Sequence, residues 1–295
     1  MTRPSLTEVL APPGGRPLRV VAVHAHPDDE TLATGVTLAH LLAGGHRAHV
    51  ITCTLGEEGE VIPADLAHLE GSPELGPYRH GELSRAMAEL GTDHSYLAAG
   101  ASRGTKPRWR DSGMAGSPSA AHPRAFAGAS LATAAELLTD RLATLAPDLV
   151  VTYDAEGGYR HPDHIKTHQV TVAAVADLPA RVRPRLYAVQ TPRSWAIEDR
   201  AWLAEHVPAS SGLVIPGRDD EFPPSVIDDE QVTHEIVDAG AVPDQVRALR
   251  QHATQVTVFD TDAGPYFALS NGVAARLAGR EGFTEIDPET GDPLP

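Results

Sequence analysis

One stretch constrains this chain more than any other. At V-V-A-V-H-A-H-P-D-D-E, Val20 to Glu30, an apolar strand runs without a linker into two imidazoles, a proline and three carboxylates. Short Val-rich runs that stop at turn residues read as buried parallel strands, and open α/β sheets place ligands at the carboxyl ends of such strands. Pro27 favours an extended residue before it and the first turn of a helix after it, which puts Asp28, Asp29 and Glu30 at a helix N-terminus. Three acids there complement the helix dipole as a purely structural feature, but the same turn is also able to hold a metal. His26 and Asp29, three positions apart, reach a common point across a tight turn while Asp28 points elsewhere. Such a trio can supply two ligands and a free base.

The surrounding pattern is strand-helix-strand. Leu18 to Val23 is the first strand. From Asp29 to Ala43 the apolar residues Leu32, Val36, Leu38, Ala39 and Leu42 recur at helical spacing and stop at Gly44-Gly45, and Ala48 to Thr52 is a second strand. There follow a helix over 78–90, a strand over 94–98, a stretch over 100–123 long enough for a functional cover, a helix over 125–145 and a fourth strand over 148–153. Further on we expect a strand over 185–190, a helix over 195–206 and a Pro/Asp/Gly-rich connector over 210–230. An exposed strand over 232–237, a helix over 243–255, a strand over 266–269 and a frayed last dozen residues complete the chain. The predicted fold class is α/β, a Rossmann-like, mostly parallel sheet flanked by helices. Its core spans 18–190, and a smaller C-terminal α+β extension over 191–295 completes the substrate pocket, either as a second unit or as one continuous domain.

The fourth strand ends in D-A-E-G-G-Y-R-H-P-D-H, a Gly-Gly turn followed by a second H-P-D. A doubly wound sheet of order 3-2-1-4-5 sets the first and fourth strands side by side and opens a crevice at their carboxyl ends. In that order His26 and Asp29 from one turn and His164 from the other converge. Two histidines and a carboxylate with a fourth position left to water are the ligand set of a catalytic zinc site, although the same donors also accept Fe(II). A phosphate-binding turn is excluded by the missing G-x-G-x-x-G and by the three carboxylates. Neither G-x-S-x-G nor a cysteine at a turn is present for a serine or cysteine hydrolase. With 24 Lys and Arg against 40 acids, the formal charge of -16 argues against nucleic acid or an anionic membrane surface as partner. The single cysteine, Cys53, reads as a buried structural thiol. No signal peptide or membrane span is visible, so a cytoplasmic protein is expected, as a monomer or small homo-oligomer.

These residues resemble the metal-dependent LmbE/PIG-L-type N-deacetylases, marked by A-H-P-D-D-E after the first strand and H-P-D-H after a later one, here Ala25 to Glu30 and His161 to His164. The likeness extends through T-C-T-L-G-E-E-G-E (52–60), Y-R-H-G-E-L (78–83), R-W-R-D-S-G-M-A-G (108–116), V-T-Y-D-A-E-G-G-Y (151–159) and H-A-T-Q-V (252–256), and is weakest over 179–230. The longer matches look like the branch that deacetylates the N-acetylglucosaminyl-inositol intermediate of mycothiol biosynthesis. The resemblance implies that one Zn2+, or Fe2+, per chain is held by His26, Asp29 and His164, with Asp28 as general base. It further implies that Tyr159 stabilises the oxyanion and that His161, tuned by Asp163, serves the departing amine. Glu60, Arg79 and Asp111 are implied as contacts to a small amino-sugar inositol substrate. The mycothiol S-conjugate amidases are close relatives of that branch, but they carry a lysine shortly after D-D-E, where this chain has Thr31-Leu32-Ala33. Another amino-sugar deacetylase, or a non-catalytic carbohydrate-binding protein stabilised by a metal, are the remaining alternatives.

Overall fold

The computed structural model describes residues 3–9, 15–97 and 107–294. Five strands, β1 (Arg19–His24), β2 (Arg47–Thr52), β3 (Asp93–Tyr96), β4 (Leu149–Tyr153) and β5 (Arg185–Pro192), run parallel in the order β3-β2-β1-β4-β5. This is the doubly wound order expected from the sequence. Side chains alternate across a strand, and the core divides accordingly. Val20 and Ala22 of β1 face one apolar layer, and Val21 and Val23 face the other. The first layer is closed by α2 (Asp29–Ala43) and α3 (Leu75–Leu90), the second by α4 (Leu131–Leu145) and α6 (Pro162–Ala176). Leu38, Leu83, Leu138 and Leu142 are each almost fully buried, worth about 2 kcal/mol apiece relative to exposure. Because α2 leaves β1 toward one layer and α6 leaves β4 toward the other, a crevice opens between the ends of these two adjacent strands.

Three expected boundaries shift, each for a local reason. The helix expected over 125–145 begins at Leu131, because Ala125 is bridged to Arg110 and Ser130 caps the helix by accepting the Thr133 N–H. The helix expected over 243–255 is α8 (Val242–Leu249). Its continuation is drawn out of helical form by His252 and Thr254, which bond to Glu30 and Glu82. Of the last dozen residues, expected to fray, 284–286 form the end of β11 (Arg280–Ile286), which lies antiparallel between β5 and β7 (His234–Val237) in the main sheet. Phe283 of β11 is fully buried, and its strand partners are far away in sequence, which a local pattern does not reveal.

The remaining elements are peripheral. A short β6 (Val226–Ile227) pairs with the end of β5, while α1 (Leu6–Val9) docks near β7 through the bridge Ser5–Glu235. A second antiparallel sheet of β8 (Thr257–Thr261), β9 (Gly264–Ala268) and β10 (Ala274–Arg276) packs with α7 (Arg193–His206) around Leu203 and Tyr266. Of the long stretch expected as a cover, 100–106 lies outside the described residues. Residues 107–123 cross the carboxyl end of the sheet and carry Asp111 and Ser112 into the crevice. Cys53 is buried against Thr167, and burial pushes its thiol up to about 12.

Candidate metal and catalytic site

The first turn is held by its third acid. Asp28 has φ 116, a region that non-glycine residues seldom adopt, and it precedes the first helical residue, Asp29. Glu30 accepts the Asp28 N–H at 3.0 Å, and its other oxygen meets Thr31 Oγ1 at 2.6 Å and His252 Nε2 at 3.0 Å. Glu30 is therefore a buttress and not a ligand. The second turn is shaped by α5 (Gly157–Arg160), a distorted single turn in which Asp154 accepts the N–H groups of Glu156 and Gly158. Pro162 then opens α6, and His161 caps it, its Nδ1 accepting the Asp163 N–H at 3.2 Å.

The two turns meet at a small triangle of donor atoms. His26 Nδ1 lies 3.3 Å from Asp29 Oδ2 and 3.3 Å from His164 Nε2, and the last two atoms are 3.4 Å apart. Ligands bound tetrahedrally at zinc distances of 2.0–2.1 Å are separated by about 3.3–3.4 Å, so the donor set fits such an ion. Behind it, His26 Nε2 faces Asp163 Oδ2 at 3.3 Å and Asp111 Oδ1 at 3.5 Å, the carboxylate backing typical of a ligating histidine. Two looser sets share His26, one with His161 and His164 and one with Asp111 and Asp163, their donor atoms within 4.8 Å of one another. Burial works against charge here, yet the carboxylates of Asp111, Asp163 and Asp29 raise the His26 ring well above its usual range. Against the same burial, His164 and His26 hold Asp29 well below its own.

The other expected residues fall into two groups. Around the triangle, burial pushes Asp28 up to about 7 in spite of the Arg79 guanidinium 3.4 Å away. Arg79, 3% exposed, also donates to Pro27 O at 2.5 Å and Gly56 O at 2.6 Å, so it reaches the site from below. Asp111 is buried, and the Glu58 and Gly113 N–H groups donate to it. Asp163 is fully buried; its carboxylate meets His26 and accepts both the N–H and the hydroxyl of Ser112 at 2.8 and 2.5 Å. Thus the Asp163 carboxylate, expected to tune His161, makes its short contact to His26, and His161 receives the Asp163 main-chain N–H. Burial, followed by the neighbouring His26 and His164, lowers His161 to about 3 and leaves it neutral. Tyr159 stands at the mouth, 52% exposed, its ring 5.1 Å from that of His164. Glu60 is set apart: it is exposed and faces a cavity of about 400 Å³ with Val61, Glu70, Phe259 and Leu269.

Tyr153 and Ser112 are structural partners of the site with no role assigned from sequence, although both stand inside the longer matching strings. Among the described residues no helix is long and apolar enough to cross a membrane.

The family model for PIG-L, GlcNAc-PI de-N-acetylase, matches residues 21–175, which include both turns. The chain belongs to this PIG-L family. A relative from Thermomonospora curvata, named 1D-myo-inositol 2-acetamido-2-deoxy-alpha-D-glucopyranoside deacetylase, is 43% identical over 282 residues, covering 91% of this chain and 90% of its own length. One of the same name from Acidothermus cellulolyticus is 45% identical over 266 residues, covering 89% and 86%. Among solved structures, the zinc-inhibited form of teicoplanin deacetylase Orf2 superposes with a TM-score of 0.51 at 18% identity over 91% of this chain and 99% of that one. At that identity the likeness is one of fold.

Proposed function

We propose that this chain hydrolyses the acetamide of 1-(2-acetamido-2-deoxy-glucopyranosyl)-myo-inositol, a step of mycothiol biosynthesis, with one divalent ion, zinc or ferrous iron, held by His26, Asp29 and His164. The observation that carries the reading is the triangle of donor atoms 3.3–3.4 Å on a side with the unligated Asp28 next to it in sequence. The substrate follows from relatives at 43–45% identity over about nine tenths of the chain, which carry that deacetylase name.

When bound, the ion supplies Lewis acidity toward the amide carbonyl and makes water more acidic near neutral pH. Asp28 accepts a proton from the attacking water as the new C–O bond forms, its carboxylate kept in place by Arg79. The Tyr159 hydroxyl donates to the carbonyl oxygen as it gains negative charge. Because His161 Nδ1 accepts the Asp163 N–H, the neutral ring carries its proton on Nε2. As the C–N bond breaks, the proton held by Asp28 passes to the amide nitrogen, the Nε2–H of His161 contributes a hydrogen bond in the same site, and acetate and the free amine result. Asp163 and Ser112 act through His26, whose ring they orient. Glu60 receives sugar or cyclitol hydroxyls at the rim, while Arg79 and Asp111 meet only the part of the substrate that reaches the floor.

The test is acetate release from the acetylated pseudodisaccharide, with and without a chelator and with metal restored. Activity that survives chelation of a demonstrably metal-free protein rejects the reading. Faster turnover of a thiol-conjugate amide than of the pseudodisaccharide moves the assignment to the amidase branch.

A further inference from the structure

Tyr153 ends β4 and is 6% exposed. β1 and β4 are paired as far as Ala22 and Val151, after which the strands part. Across that gap the Tyr153 hydroxyl accepts the Ala25 N–H at 2.8 Å and donates to Asp29 Oδ2 at 2.7 Å. One oxygen thus ties the main chain just before the first H-P-D to the carboxylate just after it. The ring does separate work: it stacks on His164, with centroids 4.1 Å apart and planes 15° from parallel, and makes an edge contact with His24 at 5.4 Å.

We propose that Tyr153 is a positioning residue for the metal site, its hydroxyl orienting the Asp29 carboxylate and its ring orienting the His164 imidazole. The proposal rests on reading His26, Asp29 and His164 as the ligands. Phenylalanine would fill the same volume and stack in the same way, so the hydroxyl contribution can be separated from simple packing. Partners that orient a ligand in this way are worth about 10–100-fold in metal affinity.

The experiment measures the Zn2+ dissociation constant of the full chain by competition with a chromophoric chelator, together with the visible absorption of the Co2+-substituted protein. The proteins are wild type, Tyr153→Phe, Tyr153→Leu and Asp29→Asn. Tyr153→Phe is expected to weaken Zn2+ binding about 10–100-fold and to shift the Co2+ bands, and Tyr153→Leu, which also loses the stacking, to weaken it further. A merely structural role would lower the melting temperature of the metal-free protein but leave the Co2+ spectrum of the folded fraction as it is. Zn2+ affinity of Tyr153→Phe within twofold of wild type, with unchanged bands, overturns the proposal. Should that variant fail to fold, 3,5-difluorotyrosine at position 153 keeps the shape and strengthens the donor; Co2+ bands that do not move then overturn it. Asp29→Asn locates the failure. If it binds Zn2+ like wild type, the ligand assignment is wrong and the proposal falls with it; if it loses Zn2+ while Tyr153→Phe does not, only the role of Tyr153 is rejected.

Discussion

The guanidinium of Arg79 lies 3.4 Å from the carboxylate of Asp28, and both side chains are buried. Arg79 comes from the second turn of α3, and two of its N–H groups donate to the carbonyls of Pro27 and Gly56. It therefore fixes the residue before Asp28 as well as Asp28 itself. A base placed in this way and kept off the metal should be separable from metal binding. Asp28→Asn is expected to lower kcat by about 10²–10⁴-fold with metal content unchanged by elemental analysis. Arg79→Met should lower kcat by at least about tenfold, roughly 1.4 kcal/mol of barrier. Equal activity in Asp28→Asn refutes the base assignment, and equal activity in Arg79→Met refutes the role of Arg79 in holding that base.

The Glu30–His252 pair is fully buried at 3.0 Å and spans most of the chain. Removing one member leaves an uncompensated group in the core. His252→Ala should lose about 3–5 kcal/mol of unfolding free energy in urea, and the double variant Glu30→Gln/His252→Ala should recover part of it. A single-variant loss below about 1 kcal/mol, the range of exposed pairs, would mean that water reaches the site.

Gly157 has φ +63, and a Cβ there would lie 2.7 Å from Ile165 N and 2.9 Å from His164 Cβ. Both are backbone or near-backbone atoms, so His164 must move. Gly157→Ala is expected to cost about 1–2 kcal/mol of stability from the left-handed backbone alone and, in addition, to weaken metal binding. Gly158, with φ +74 and open space around its would-be Cβ, supplies the control: Gly158→Ala should lose stability and keep its metal. Chelator competition on the two variants decides the matter.

Glu281 of β11 is buried and accepts the Val36 and Thr37 N–H groups of α2 at 2.8 and 2.9 Å. Burial outweighs these bonds and pushes its carboxyl up from 4.5 to about 7. A raised pKa means that the fold favours the protonated form, so this stabilisation is complete below about pH 4.5 and is lost as the pH rises through 7. Between pH 5 and 8 wild type should lose about 2–3 kcal/mol of unfolding free energy relative to Glu281→Gln. Parallel urea-derived stabilities for the two proteins across that range would contradict it.

Much of the layout could be read from residue patterns because it is local. α2 occupies the span that its apolar spacing and Gly44 indicate, and Pro27 and Pro162 mark where the two turns become helices. The convergence of His26, Asp29 and His164 followed from the strand order, itself a consequence of strands alternating with helices. What escaped depends on distant partners. β11 is a short stretch that becomes a strand because β5 and β7 flank it. The Asp163 carboxylate turns to His26 because Ser112, on a different loop, is there to hold it. Nothing in the local pattern marks the hydroxyl of Tyr153 at the end of its strand, since it matters only once Ala25 and Asp29 lie beside it.

Glu30 reaches across 222 positions for its counter-charge, and that distance has a bearing on the order of assembly. While the chain is being synthesised from its N-terminal end, both H-P-D turns emerge long before His252, and until then Glu30 is an acid waiting for a neutralising neighbour. The hydrolytic centre is thus finished by the last quarter of the polypeptide. Any truncation or fusion that disturbs the segment around His252 would be felt at the opposite end of the sequence, in the posture of Asp28.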